Sequence, residues 1–175
     1  MTTQQHDDGS AGERLRNIGL VVDRGNRLEK TLCEAFCSII GSKYAAVLAE
    51  RQSAKWLIDN CRAVLDRHRE ITGEHRANIG LALDVCDGVN KRHNDLVHGI
   101  RMATAAADAQ SAASNGAGSE SDGWPAEKIL EVADEISAAD KKLACTLRNV
   151  FSPEAMVIGA ALAWEERRER GTRCE

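Results

Sequence analysis

The sequence is poor in proline and in aromatic residues. Its 175 residues include 2 prolines, and aromatic residues make up 3% of the chain. Proline interrupts helices, whereas aromatic and β-branched residues favour strands. Alanine, leucine, glutamate and arginine, which are good helix formers, are common instead. The composition therefore predicts an all-α protein.

Long apolar runs are also missing. No stretch approaches the roughly 18 apolar residues of a membrane span, and Met1–Gly12 is polar, without the apolar core of a signal peptide. We therefore expect a cytoplasmic protein without a membrane partner.

The chain has no excess of positive charge. It carries 23 Lys and Arg against 27 Asp and Glu, with a formal net charge of −4. Non-specific affinity for nucleic acid comes mainly from Lys and Arg side chains that neutralise phosphates. The balance argues against broad capture of nucleic acid, and no DNA partner is expected. A local basic pocket remains compatible with it.

The 6 cysteines show no CxxC pair and no zinc-knuckle spacing. Five of them lie inside helical apolar patterns, so we expect reduced thiols. Cys33 and Cys37 lie one helical turn apart and could join a metal site, but packing in the core is the favoured interpretation. No cofactor or metal is expected.

Apolar residues recur at steps of three and four, which predicts amphipathic helices over 13–40, 74–102, 125–150 and 153–170. The segment 43–70 forms either one helix or two, with Ser53 as the cap of the second. Gly41 with Ser42 ends the first helix, and Gly25 with Asn26 is a candidate kink within it. We therefore expect a compact bundle of four to five helices with a long central helix.

The remaining segments lack this periodicity. Residues 1–11 are polar and are expected to form a disordered tail, and 172–175 form a second tail. Residues 105–123 are rich in Ala, Ser, Gly and Asp and are expected to form a flexible loop before the fourth helix. The range 12–171 then suits a single helical domain.

The stretch from Lys91 to Gly99 is the densest in chemically useful groups. On a helix, Lys91, Asp95 and His98 fall close to one face, and Arg92 lies about 120° from His98. A helix that loosens at Gly99 would bring Arg92 and His98 together. If the helix ends there, its dipole also favours a protonated His98.

This combination suits phosphate chemistry. An RNA strand is cut when one group removes the 2′-OH proton and another stabilises the charge that develops on the phosphoryl group. A histidine such as His98 and a forked arginine such as Arg92 do this without a metal ion. Asn94 would position the substrate by hydrogen bonding.

The same residues resemble a known motif. Arg92-His93, followed by four residues and His98, matches the R-polar-x4-H motif of the HEPN (higher eukaryotes and prokaryotes nucleotide-binding) superfamily. The run from Asn94 to Gly99 is similar to a sequence pattern, N-x-hydrophobic-V-H-G, that is common in its bacterial members. These are compact all-α bundles of four or five helices that commonly dimerise, with the motifs of two protomers meeting in a cleft. Many are metal-independent ribonucleases of toxin–antitoxin or anti-phage systems, and some bind nucleotides or are inactive.

The resemblance implies that Arg92 and His98 are catalytic and that His93, Asn94 and Asp95 support them. It implies an RNA substrate, a homodimer and an antitoxin or other protein partner. The family usually has Asn or Asp directly after the arginine, whereas here Asn94 comes one position later. The division of roles between His93 and Asn94 therefore stays open. A non-catalytic HEPN-like module that binds a nucleotide or a protein is the alternative.

Two further interpretations of the segment need no ribonuclease. Its polar residues could cap a helix end and form surface ion pairs, with His93 completing the core stripe. A metal site built from His93, Asp95 and His98 is less favoured, because a spacing of five does not place both imidazoles on one helical face.

Overall fold

A computed structural model describes residues 7–113 and 124–152 of the chain. The regular structure of these residues is helical: α1 is Asp7–Ile40, α2 is Ala45–Ala49, α3 is Ala54–Leu65, α4 is Gly73–Ala113 and α5 is Ala126–Phe151. The all-α prediction is confirmed. The helix predicted over 153–170 lies outside the described residues. Among the helices just named, none combines the length and the apolar character that crossing a membrane requires.

Single residues set several helix boundaries. Gly41 adopts a φ of +64° directly after α1, a conformation that favours glycine. Ser53 precedes α3, and its side-chain oxygen accepts a hydrogen bond from the backbone N–H of Trp56 at 3.2 Å. Pro125 directly precedes α5. Of the two alternatives left open for 43–70, the structure has two helices, and Ser53 caps the second of them.

Two helices are longer than predicted. α1 begins at Asp7 and continues through Gly25 without a break, so residues 7–11 are helical rather than part of a disordered tail. α4 continues to Ala113, so residues 105–113 are helical rather than part of a loop. Alanine has the highest helix propensity, and adding residues to an existing helix avoids the cost of nucleation. The other residues of the two predicted segments, 1–6 and 114–123, lie outside the described ranges.

The described residues pack as two compact units. Unit 1 contains α1 up to Asn26, together with the chain over Gly88–Ser137. Unit 2 contains Arg27–Asp87 and the chain from Ala138 onwards. Thus α1, α4 and α5 contribute to both units, whereas α2 and α3 belong to unit 2. The polar segment from Lys91 to Gly99 lies in unit 1.

Within unit 1, α1 and α5 run in the same direction. The buried Asn17 donates from Nδ2 to the carbonyl oxygen of Ala126 at 2.9 Å. About two turns further along both helices, Arg24 Nη1 lies 2.6 Å from Asp134 Oδ1. Residue numbers therefore increase together along both helices. The apolar side chains buried in this unit are Val21, Val89, Leu96, Ile129, Val132, Ala133 and Ile136.

The buried face of α1 differs from the predicted one. The apolar residues that recur over 13–40 mostly at three- and four-residue steps, among them Leu15, Val22 and Leu28, are expected near one face. Leu15 is 70% exposed and Val22 is 51% exposed, whereas Leu28 is buried. Val21 is buried instead, and the next residue on a helix lies about 100° away from it. The prediction is therefore wrong for Leu15 and Val22.

Within unit 2, polar and aromatic contacts join the helices around an apolar core. The buried Thr31 donates from Oγ1 to Asp140 Oδ1 at 2.5 Å, which ties α1 to α5. The rings of Phe36 and Trp56 lie 5.4 Å apart between their centroids and tie α1 to α3. The largest fully buried side chains of this unit are Leu32, Ile39, Leu57, Ile58, Cys61, Ile79, Leu83 and Leu143.

Candidate functional site

The polar segment of α4 has one face towards solvent and one towards the interior of unit 1. Its inward positions are the buried Leu96 and the half-buried His93, Val97 and Gly99. Its exposed positions are Lys91, Arg92, Asn94, Asp95 and His98. This division follows the 3.6-residue period of the helix. Among the predicted site residues, His93 is therefore the one that faces inward, and the others are accessible to a ligand.

Arg92 forms an ion pair that the sequence does not predict. Its Nη1 lies 2.7 Å from Oε1 of Glu135 on α5. The arginine side chain is 56% exposed, whereas that of Glu135 is 26% exposed. A guanidinium has five N–H donors. One contact through Nη1 therefore leaves donors of Arg92 for a second acceptor on the solvent side.

His93 packs against α1. A Cβ atom placed on Gly25 would lie 3.3 Å from His93 Nε2, so the imidazole ring fits tightly over this glycine. Gly25 therefore allows a close approach of α1 and α4 within unit 1, and α1 does not kink there. This contact gives His93 a packing role and agrees with the interpretation that it completes the core stripe.

Gly99 lies inside α4 and does not end it. A Cβ atom placed on Gly99 would lie 2.6 Å from Nε1 of Trp124, so the missing side chain makes room for the indole at the start of α5. Because α4 continues to Ala113, His98 is not in its last turn. The dipole effect is confined to the last turn of a helix. The condition on which a dipole effect at His98 depended, a helix that ends at Gly99, is therefore not met.

The continuous helix also keeps Arg92 and His98 apart. Six positions on an α-helix correspond to a rotation of about 120° and a rise of about 9 Å. The predicted loosening at Gly99, which would have brought the two side chains together, does not occur. Arg92 turns towards Glu135 of α5, whereas His98 is exposed. Within one chain the two side chains therefore project from different sides of α4.

The residues that sequence reasoning missed lie on helices remote in the sequence. Glu135 on α5, Trp124 just before α5 and Gly25 on α1 each contact the 91–99 segment. The local signal for Glu135 is a charged residue directly before the buried Ile136 of the α5 stripe. That position indicates a half-buried carboxylate, but it does not indicate the cation that pairs with it.

Two thiols of unit 2, those of Cys61 and Cys86, are buried. Burial raises the pKa of Cys61 to about 12, with smaller contributions from the nearby thiols of Cys33, Cys37 and Cys86. Burial also raises the pKa of Cys86 to about 12. Every cysteine in the described ranges is a free thiol. Cys61 and Cys86 thus act as small apolar core residues, as predicted.

The metal alternatives receive no support from the geometry. In residues 7–113 and 124–152, no three His, Cys, Asp or Glu side chains are grouped so that they could hold a metal ion. This finding covers the pair Cys33 and Cys37 as well as the set His93, Asp95 and His98.

The chain matches no protein-family model, no curated protein and no solved structure. The HEPN resemblance therefore stays an expectation drawn from the motif between Arg92 and His98.

Proposed function

We propose that the protein is a HEPN-like, metal-independent endoribonuclease with Arg92 and His98 as its catalytic residues. The observation that supports this proposal is the exposure of both side chains on α4 while Leu96 between them is buried. The helix is thus anchored through its inward face, and Arg92 and His98 are not used to build the core. An arginine and a histidine held on such a scaffold are accessible to a phosphodiester.

In this mechanism the neutral imidazole of His98 takes the proton from a ribose 2′-OH. The 2′ oxygen then forms a bond to phosphorus, and the bond from phosphorus to the 5′ oxygen breaks. The 5′ oxygen receives this proton from the His98 imidazolium and leaves as a 5′-OH, while the other fragment ends in a 2′,3′-cyclic phosphate and His98 returns to its neutral form. Arg92 donates hydrogen bonds to the non-bridging oxygens as charge develops on them. Asn94 and Asp95 position substrate and imidazole.

The separation of Arg92 and His98 on α4 favours a homodimer as the active form. A phosphate that contacts both groups would take Arg92 from one copy and His98 from the other. The HEPN resemblance supports the same arrangement, as well as a cytoplasmic toxin or anti-phage role in which an antitoxin restrains cleavage.

The test is cleavage of a labelled RNA in EDTA by the wild type, Arg92→Ala and His98→Ala. We expect cleavage by the wild type with a 2′,3′-cyclic phosphate end, and a loss of about a hundredfold or more in each variant. Arg69→Ala and His75→Ala, which remove the same residue types in unit 2, are the matched controls and should cleave normally. Equal cleavage by all proteins, or none by the wild type, would contradict the proposal.

A second candidate is a non-catalytic module that binds a protein or a nucleotide. The observation that favours it is the exposure of large apolar side chains in unit 1, where Leu15 is 70%, Val22 51% and Met102 73% exposed. Leu15 and Val22 lie two turns apart on the same side of α1, as in helices that bind partners. Growth arrest on overexpression that His98→Ala relieves favours the nuclease. Ligand binding without growth arrest favours the module.

A further inference from the structure

The ion pair between Arg92 and Glu135 is asymmetric. Arg92 extends towards solvent with a side chain that is 56% exposed, whereas the Glu135 carboxylate is 26% exposed and 2.7 Å from the arginine. The second carboxylate oxygen, Oε2, is buried and has no hydrogen-bond partner within the described part of the chain. A carboxylate with little solvation depends on its counter-ion more than an exposed one does. Glu135 therefore depends on Arg92 for compensation of its charge.

The neighbouring pair shows the contrast. Arg24 Nη1 lies 2.6 Å from Asp134 Oδ1, but the side chain of Asp134 is 66% exposed to solvent. An anion that draws Arg24 away would leave Asp134 hydrated, at little cost. An anion that draws Arg92 away would leave Glu135 half-buried and uncompensated. We therefore expect Glu135 to lower the affinity of Arg92 for anions more than Asp134 lowers that of Arg24.

We propose that Glu135 is a built-in competitor that lowers the affinity of Arg92 for phosphate groups. A phosphodiester then binds by sharing or displacing the guanidinium that Glu135 holds, which restricts binding to substrates with further contacts on the exposed face of α4. This inference rests on the proposed function in taking Arg92 as the phosphate contact. Glu135 acts through Arg92 and is not itself a catalytic residue.

The experiment measures binding of a fluorescently labelled 2′-O-methyl oligonucleotide, which has no free 2′-OH and so cannot be cut by 2′-OH attack. Glu135→Gln keeps the shape of the side chain and removes its charge. We expect this variant to bind about threefold to fivefold more tightly than the wild type. Asp134→Asn removes the same charge one position away and should change the affinity by less than about twofold. In an Arg92→Ala background, Glu135→Gln should have no effect.

Several outcomes would overturn the proposal. One is that Glu135→Gln and Asp134→Asn change the affinity for the oligonucleotide equally, and another is that Glu135→Gln still changes it in the Arg92→Ala background. Weaker or unchanged binding by Glu135→Gln, or no binding by any of the proteins, would also contradict it. Cleavage of unmodified RNA is measured in parallel to separate the two proposals. If the wild type binds the oligonucleotide but does not cleave RNA, the nuclease proposal is contradicted, whereas the proposed competition between Glu135 and phosphate for Arg92 is not. Cleavage by the wild type, with no gain in binding from Glu135→Gln, supports the nuclease and contradicts the role of Glu135 as a competitor.

Discussion

Replacing Gly99 with alanine should destabilise the protein although alanine is the better helix former. In the interior of a helix, this change alone stabilises by about 1 kcal/mol. At Gly99, however, the new Cβ would lie 2.6 Å from Trp124 Nε1, closer than van der Waals contact permits. Moving the half-buried indole or the helices costs about 1 to 3 kcal/mol, as in other overpacked sites. The net expectation is a loss of about 1 kcal/mol, after subtraction of the propensity gain.

Gly88 supplies the matched control on the same helix. It is exposed, and a Cβ placed on it would meet nothing within 4 Å. Gly88→Ala should therefore raise the free energy of unfolding by about 0.5 to 1 kcal/mol. The two variants should then differ by about 2 kcal/mol, or about 4 to 8 °C in Tm for a chain of this size. Urea denaturation and thermal melts followed by circular dichroism measure both quantities.

A double-mutant cycle identifies the cause. If the indole is what opposes the new methyl group, Gly99→Ala in a Trp124→Ala background should stabilise the protein as Gly88→Ala does. The packing argument is refuted if Gly99→Ala is as stable as Gly88→Ala in the parent protein. It is also refuted if the loss persists when Trp124 is absent.

Two further predictions concern unit 2. Ser53→Ala should lower the free energy of unfolding by about 1 kcal/mol, because the N–H of Trp56 loses its acceptor. Ser38→Ala, at an exposed position in the last turn of α1, caps no helix N-terminus and should not lower it; urea midpoints that fall equally would contradict the capping role. Burial raises the pKa of Cys61 and Cys86 from 9.0 to about 12, so the stability that these neutral thiols contribute is complete below about pH 9 and is lost as the pH rises towards 12. The urea midpoint should decline over that window, and less steeply in Cys61→Ala; equal slopes would contradict the assignment.

The sequence was sufficient for those features that depend on neighbouring residues. The helices follow from apolar periodicity, and their boundaries at Gly41, Ser53 and Pro125 follow from backbone conformation and capping. The predicted end of α4, at residue 102, was wrong, and the reason is also local. An alanine-rich stretch has no apolar stripe, yet it extends an existing helix at little free-energy cost, so residues up to Ala113 are helical.

Features that depend on contacts between distant helices could not be predicted. Arg92 belongs to α4 and Glu135 to α5, and no periodicity within either helix indicates that they pair. The same holds for Trp124 over Gly99, since a glycine followed by alanine-rich sequence reads equally well as a helix end. The candidate residues themselves were found from residue types and motif spacing. The angle of about 120° between Arg92 and His98 follows from helix periodicity. That α4 continues through Gly99, and so keeps the two side chains apart, needed the structure.

The most direct measurement of the central proposal uses a purified heterodimer that carries Arg92→Ala in one copy and His98→Ala in the other. If each site combines Arg92 of one copy with His98 of the other, one site stays intact and about half of the wild-type cleavage returns. A heterodimer of the wild type with the Arg92→Ala, His98→Ala double variant should then be inactive, because each site has one defect. Activity in the second heterodimer but not in the first would contradict the shared site. Inactivity of the wild-type protein itself would contradict the nuclease.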